Sequence, residues 1–121
     1  ASGDSGAIRM YSGTVSNCNF VNNSASEGGG ALYFTVTGIV TNCNFTDNKA
    51  NGTNSMGGAV YFYGTGNVTN CNFTDNSAHQ GGAVIFNKGN ILYCNFIFTN
   101  ILNHLLIPSQ LMTLIRSSVP L

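Results

Sequence analysis

The chain has 121 residues, the size of one small domain. Only 7% are charged, four basic against four acidic, so the formal net charge is zero. That balance excludes a nucleic-acid binder working through clustered cations, and equally a polybasic membrane-surface protein. With 43% hydrophobic residues the chain can bury a core. Fifteen Gly, two Pro, no Trp, eighteen Asn and eleven Thr point to β-structure with many tight turns.

A repeat organises the chain. Copies begin near Ser5, Gly29, Gly57 and Gly81, at spacings of 24, 28 and 24 residues. Residues 29–50 (GGALYFTVTGIVTNCNFTDNKA) match residues 57–78 (GGAVYFYGTGNVTNCNFTDNSA) at 17 of 22 positions without a gap. A looser copy, SGAIRMYSGTVSNCNFVNNSA, precedes them, and a fading one, GGAVIFNKGNILYCNF, follows. Helical repeat signatures are missing, and roughly two dozen residues accommodate three short strands with their turns. The extra four residues of the second copy fall in Asn51–Met56, which predicts a bulging loop.

In chain order, each copy opens on a strand. Ile8/Met10, Leu32/Phe34, Val60/Phe62 and Val84/Phe86 share one apolar face. Arg9/Tyr11, Tyr33/Thr35, Tyr61/Tyr63 and Ile85/Asn87 share the other. The second half of each copy places Val15, Val40, Val68 and Ile91 three residues before a Cys, and Phe20, Phe45, Phe73 and Phe96 two residues after it. Stacking at about 4.8 Å turns these into Val, Cys and Phe columns. Asn17, Asn42 and Asn70, just before the Cys, are expected to form an asparagine ladder at a left-handed turn, which Tyr93 would interrupt. The predicted fold is all-β, a right-handed single-stranded parallel β-helix of about four coils over residues 1–96.

Cys18, Cys43, Cys71 and Cys94 occur once per copy, and neither paired zinc spacing nor a C-x-x-C is present. The repeat position favours an inward column of reduced thiols. One or two bridges between coils are the alternative, since an even count suits an oxidising compartment but stacked side chains rarely meet disulfide torsions.

The GGALYF/GGAVYF segments, together with Phe20-x-x-Asn23, Phe45-x-x-Asn48 and Phe73-x-x-Asn76, resemble the GGA[ILV] and FxxN repeats of chlamydial polymorphic outer membrane proteins. The form GNVTNCNFTDNSA is also similar to the adhesin-like surface proteins of methanogenic archaea. The resemblance covers residues 5–96 and implies a large secreted or surface-anchored β-helix that mediates adhesion. Partners implied are a host-cell or matrix glycan or protein, along with flanking coils of a longer chain.

After Phe96 the character changes: every Gly lies at or before Gly89, whereas six of the eight Leu lie at or after Leu102. Residues 97–121 therefore read as a non-repeat tail, irregular or with a short amphipathic helix opening at Pro108 and carrying Leu111, Met112, Leu114 and Ile115. The tail is too polar and short to insert in a membrane. It fits either a cap on the coil stack or the product of a frameshift or truncation. The opening directly into a repeat suggests a piece of a longer protein.

Chemistry is sparse. The acids are Asp4, Glu27, Asp47 and Asp75; the last two hold equivalent positions and read as solvated turn residues rather than a Ca²⁺ pair. His79 and His104 lack a nucleophile at a recognisable spacing. Five N-x-[ST] sequons start at Asn22, Asn44, Asn51, Asn67 and Asn72, with Asn51 expected to be best exposed. No catalytic residue, metal site or cofactor is assigned. The one candidate ligand face is Tyr33 and Tyr61 with Tyr63 beside them and Arg9 one coil away. The expected role is structural and adhesive display at the cell surface or outside the cell, without catalysis. The alternative is a fragment of a β-helix carbohydrate-active enzyme, a polysaccharide lyase or glycoside hydrolase, whose catalytic coils lie outside this chain.

Overall fold

Alternation of apolar and polar residues gives strands, and left-handed residues between them bend those strands into coils. The computed structural model describes residues 3–97 and the backbone of Leu105–Leu106. The first coil runs through β1 (Ile8–Ser16), β2 (Asn19–Val21) and β3 (Ser24–Ala25), the second through β4 (Leu32–Thr41), β5 (Asn44–Thr46) and β6 (Lys49–Ala50). The third holds β7 (Val60–Thr69) and β8 (Asn72–Thr74), the fourth β9 (Val84–Leu92) and β10 (Asn95–Ile97), and β11 (Leu105–Leu106) follows. Every pairing is parallel, in sheets ordered β1-β4-β7-β9-β11, β10-β8-β5-β2 and β3-β6. This is a parallel β-solenoid of about four turns.

Among the described residues the first three coils each have three left-handed corners. Asn17, Asn42, Asn70 and Tyr93 (φ 53–57 with their counterparts) stand at the first, and Asn22, Asp47 and Asp75 at the second. Gly29, Gly57 and Gly81 make the third, at φ 25, 69 and 58. Asn and Asp tolerate this backbone region because a short polar side chain bonds locally; most L-residues do not. Tyr93 departs from that preference with φ 54. Tyr93→Asn is therefore expected to stabilise the fold by about 1 kcal/mol, read as a higher urea midpoint at an unchanged slope.

The core is a set of vertical columns. Val15, Val40, Val68 and Ile91 form one, Phe34, Phe62 and Phe86 a second, and Phe20, Phe45, Phe73 and Phe96 a third, all buried. Phe20–Phe45, Phe45–Phe73 and Phe73–Phe96 stack face to face with centroids 5.1, 4.9 and 4.9 Å apart and planes within 8°. Phe34 and Phe62 stack likewise at 5.0 Å, but Phe86 turns edge-on to Phe62 at 6.3 Å. The change coincides with a register shift, because β9 has one residue fewer than β7 between Phe86 and Lys88. The same shift separates Met10/Ser12 of β1 from Phe34/Thr37 of β4. The middle two coils thus carry an additional residue at the bend of their long strand.

The tail departs from expectation in one respect. Leu105 and Leu106 pair in parallel with Val84 and Ile85, so the largest sheet continues into residues read as a non-repeat segment. Strand pairing needs only backbone donors and acceptors, and loss of the repeat side chains does not prevent it. The short helix expected after Pro108 lies outside the described residues. Among the described residues no helix is long and apolar enough to cross a membrane.

Candidate functional site

The outward side of the long strands carries the candidate ligand face. Arg9, Tyr33, Tyr61 and Ile85 stand in register on successive coils. Tyr33 and Tyr61 meet at 4.9 Å with planes 52° apart, and Tyr63 stands edge-on to Tyr61 at 6.3 Å. The Arg9 guanidinium lies 5.3 Å above the Tyr33 ring and pairs with the Asp4 carboxylate at 2.8 Å. Both rings lean over the turn at Gly28, where a Cβ would come within 2.5 Å of Tyr61 and 3.0 Å of Tyr33. The structure therefore brings together Tyr33, Tyr61 and Tyr63, with Arg9 capping one end. Burial raises the phenol pKa of Tyr33 and Tyr61, reinforced at Tyr33 by the Asp4 carboxylate and opposed by Arg9.

The Asn column expected before each Cys has the backbone but not the ladder. Asn17, Asn42 and Asn70 are left-handed and exposed, and their side chains make no hydrogen bond among the described residues. A left-handed corner residue projects outward, away from the coil above and below it. Two other columns bond instead. On the outer face Asn44 Nδ2 donates to Asn19 Oδ1, Asn72 Nδ2 to Asn44 Oδ1, and Asn95 Nδ2 to Asn72 Oδ1, at 2.8–2.9 Å.

The inner ladder is the Asn of FxxN. Asn48 and Asn76 are 0% and 1% exposed. Asn48 Nδ2 donates to Phe20 O and to Asn76 Oδ1, while its own Oδ1 accepts from the backbone and side-chain nitrogens of Asn23. Asn76 repeats the arrangement, donating to Phe45 O and accepting from Asn48 N. All four bonding positions of the Asn48 amide are filled, which is what makes a buried amide tolerable.

The paired glycines divide their labour. The first is the left-handed corner, and the second passes against the next coil: a Cβ on Gly30 would lie 1.9 Å from Gly58 O, and on Gly58 2.0 Å from Gly82 O. In the first copy Ser5 stands at the equivalent position without a left-handed backbone, and its hydroxyl donates toward Ile8 O and Ala31 O. The loop at Asn51–Met56 is pinned by a residue that reads as unremarkable loop polarity. Ser55 is buried, donates from its hydroxyl to Ala50 O at 2.7 Å, and accepts the His79 backbone N–H at 3.0 Å.

Cys43, Cys71 and Cys94 are buried and free, and Cys18 at the first coil is partly exposed and free. The Cys43, Cys71 and Cys94 sulfurs each lie near the carbonyl two residues back and the Val carbonyl of the preceding coil. Burial raises the Cys43 thiol, and contact with Cys94 followed by burial raises Cys71. A thiol reagent is thus expected to label Cys18 first in the native chain and the other three only on unfolding. Mass spectrometry of labelled peptides with and without urea checks this.

Asp47 and Asp75 occupy equivalent second corners, and His79 is exposed between coils; His104 lies outside the described residues. Among the sequons Asn51 is exposed, as are Asn22, Asn44 and Asn72, while Asn67 is half-buried. Among the described residues no three His, Cys, Asp or Glu side chains converge.

Residues 17–35 and 70–88 match the family model of the Chlamydia polymorphic membrane protein (Chlamydia_PMP) repeat. Both matches run from the first corner of a coil, through the FxxN ladder and the paired glycines, into the next long strand. No curated protein and no solved structure matches the chain.

Proposed function

We propose that this chain, which carries the Chlamydia polymorphic membrane protein repeat in two matched stretches, is a segment of a surface-displayed adhesive β-helix without catalytic activity. The observation that carries this reading is the division of the coil into an inside and an outside. The repeat's signature residues are consumed in stacking: the Phe rings, the FxxN amide and the second glycine all face or touch the neighbouring coil. What is left to vary is the outer face, where Tyr11 and Tyr63 stand 78% and 64% exposed. A scaffold of interchangeable coils with a variable exterior suits display and contact better than a reaction centre.

Location outside the cell or at the outer membrane follows from the family's character as membrane proteins and is part of the proposal. So is the partner, a host-cell or matrix glycan or protein. Beads coated with the purified chain are expected to adhere to cultured animal cells, and soluble chain to compete with them. Failure of coated beads to adhere above an uncoated control overturns the adhesive reading. Release of new reducing ends from plant or microbial polysaccharides by the chain overturns the non-catalytic one.

A further inference from the structure

At the front of the stack, beside the Arg9–Tyr33 end of the aromatic ladder, Tyr11 stands 78% exposed where the first strand shifts register against the second. A cavity of about 280 Å³ opens there, lined by Arg9, Met10, Tyr11 and Thr35. Thr35 Oγ1 is a buried side-chain polar atom without a hydrogen-bond partner, the one such atom among the described residues. Buried hydroxyls are nearly always satisfied, so an orphan beside a cavity needs a cause.

We propose that the notch lined by Arg9, Met10, Tyr11 and Thr35 binds one ring of a neutral hexopyranose sugar, stacked on Tyr11 and with the Thr35 hydroxyl bonding a sugar hydroxyl. This rests on the display reading above and names the ligand class of its outer face. A saturated ring laid on the Tyr11 face makes van der Waals contact at about 4 Å. The cavity falls just below the roughly 300–1,000 Å³ of drug-sized sites, which leaves room for a single ring.

The charge pattern selects a neutral sugar over an acidic one. Arg9, the cation at the notch, is already committed to Asp4 at 2.8 Å and to the Tyr33 face. A carboxylated ring would have to displace Asp4, and would meet no second cation there. Tyr11 is mostly exposed, so its ring can change rotamer to meet a ligand without disturbing the core.

The test titrates the intact chain with methyl glycosides of glucose, galactose, mannose and N-acetylglucosamine. With no Trp in the sequence, intrinsic emission reports the tyrosines directly. At least one glycoside is expected to bind with a Kd of roughly 1 mM, the affinity of a single-ring contact. Thr35→Val keeps the shape and removes the hydroxyl; it should weaken that binding about tenfold while leaving the urea midpoint the same or higher, because the orphan is gone. Tyr11→Ala should weaken it at least as much, whereas Tyr63→Ala, outside the cavity lining, should leave it unchanged. Binding by none of the four sugars overturns the proposal, as does a Thr35→Val chain that binds as the parent does. Saturation by a tyrosine-containing peptide but by no glycoside overturns it in favour of a protein partner. Coated beads that adhere to cells while no sugar binds would sink the notch and leave the display reading standing.

Discussion

Asn48→Ala is expected to lower the unfolding free energy by about 2–4 kcal/mol, a large part of what a domain of this size possesses. The loss comes from what the amide leaves behind. The Asn23 backbone N–H loses its acceptor, Phe20 O loses one donor but keeps its strand bond from Thr46, and Asn76 Oδ1 loses one of its two donors from Asn48. Each buried group so stranded costs about 1–3 kcal/mol. Asn19→Ala, one strand away on the exposed ladder, removes a bond of similar length but should change stability by less than about 0.5 kcal/mol, because water replaces it. Urea melts of the two variants beside the parent give the comparison. Equal effects would mean that burial does not set the worth of these ladders.

Gly58→Ala should be still more damaging. Its Cβ would fall 2.0 Å from Gly82 O and 2.5 Å from both Ser77 N and Ser77 O. All three are backbone atoms, and the N–H of Ser77 is itself bonded to Asn48 O. No side chain can swing aside to make room, so the second and third turns must separate from the fourth, breaking the bonds from Gly58 N to Gly81 O and from Val60 N to Ala83 O. The expected outcome is a loss of more than about 4 kcal/mol, the range reserved for severe backbone or core conflicts. Far-ultraviolet dichroism during a thermal melt should show the chain largely unfolded under conditions where the parent is folded. Gly3→Ala is the control, since a Cβ there meets nothing within 4 Å. A Gly58→Ala chain that melts like the parent would show that the coils can slide apart at little cost.

Much of this architecture is legible in the letters. The recurrence of Val, Cys and Phe at fixed offsets dictates columns, because residues one coil apart must stack when the period equals the circumference. The assignment of the ladder was less legible. Asn17 and Asn23 belong to columns of the same period, and period alone does not say which faces inward. The deciding step is geometric: the left-handed residue at Asn22, Asp47 or Asp75 reverses the alternation, so the Asn three residues after an inward Phe points inward as well. FxxN encodes that reversal. Nothing local marks Ser55, whose burial depends on Ala50 and His79 closing around it. Nor does the strand pattern announce the notch, because the cavity beside the orphaned hydroxyl of Thr35 is lined by residues of two stacked coils.

The bonds between coils carry a further consequence for how the chain acquires its form. From Gly6 N to Gly29 O through Asn95 N to Cys71 O, they join residues about two dozen positions apart, with Ser55 N to Gly52 O a short-range exception. A lone coil therefore contains almost nothing to hold it, and the first closure must be achieved against chain entropy before any reward arrives. Once one coil stands, its edge is a template, and each later coil adds the same bonds for the same closure. Such a chain has a slow start and a processive continuation: a ribbon delivered progressively from one end can wind as it emerges, with no need for its distant parts to find one another.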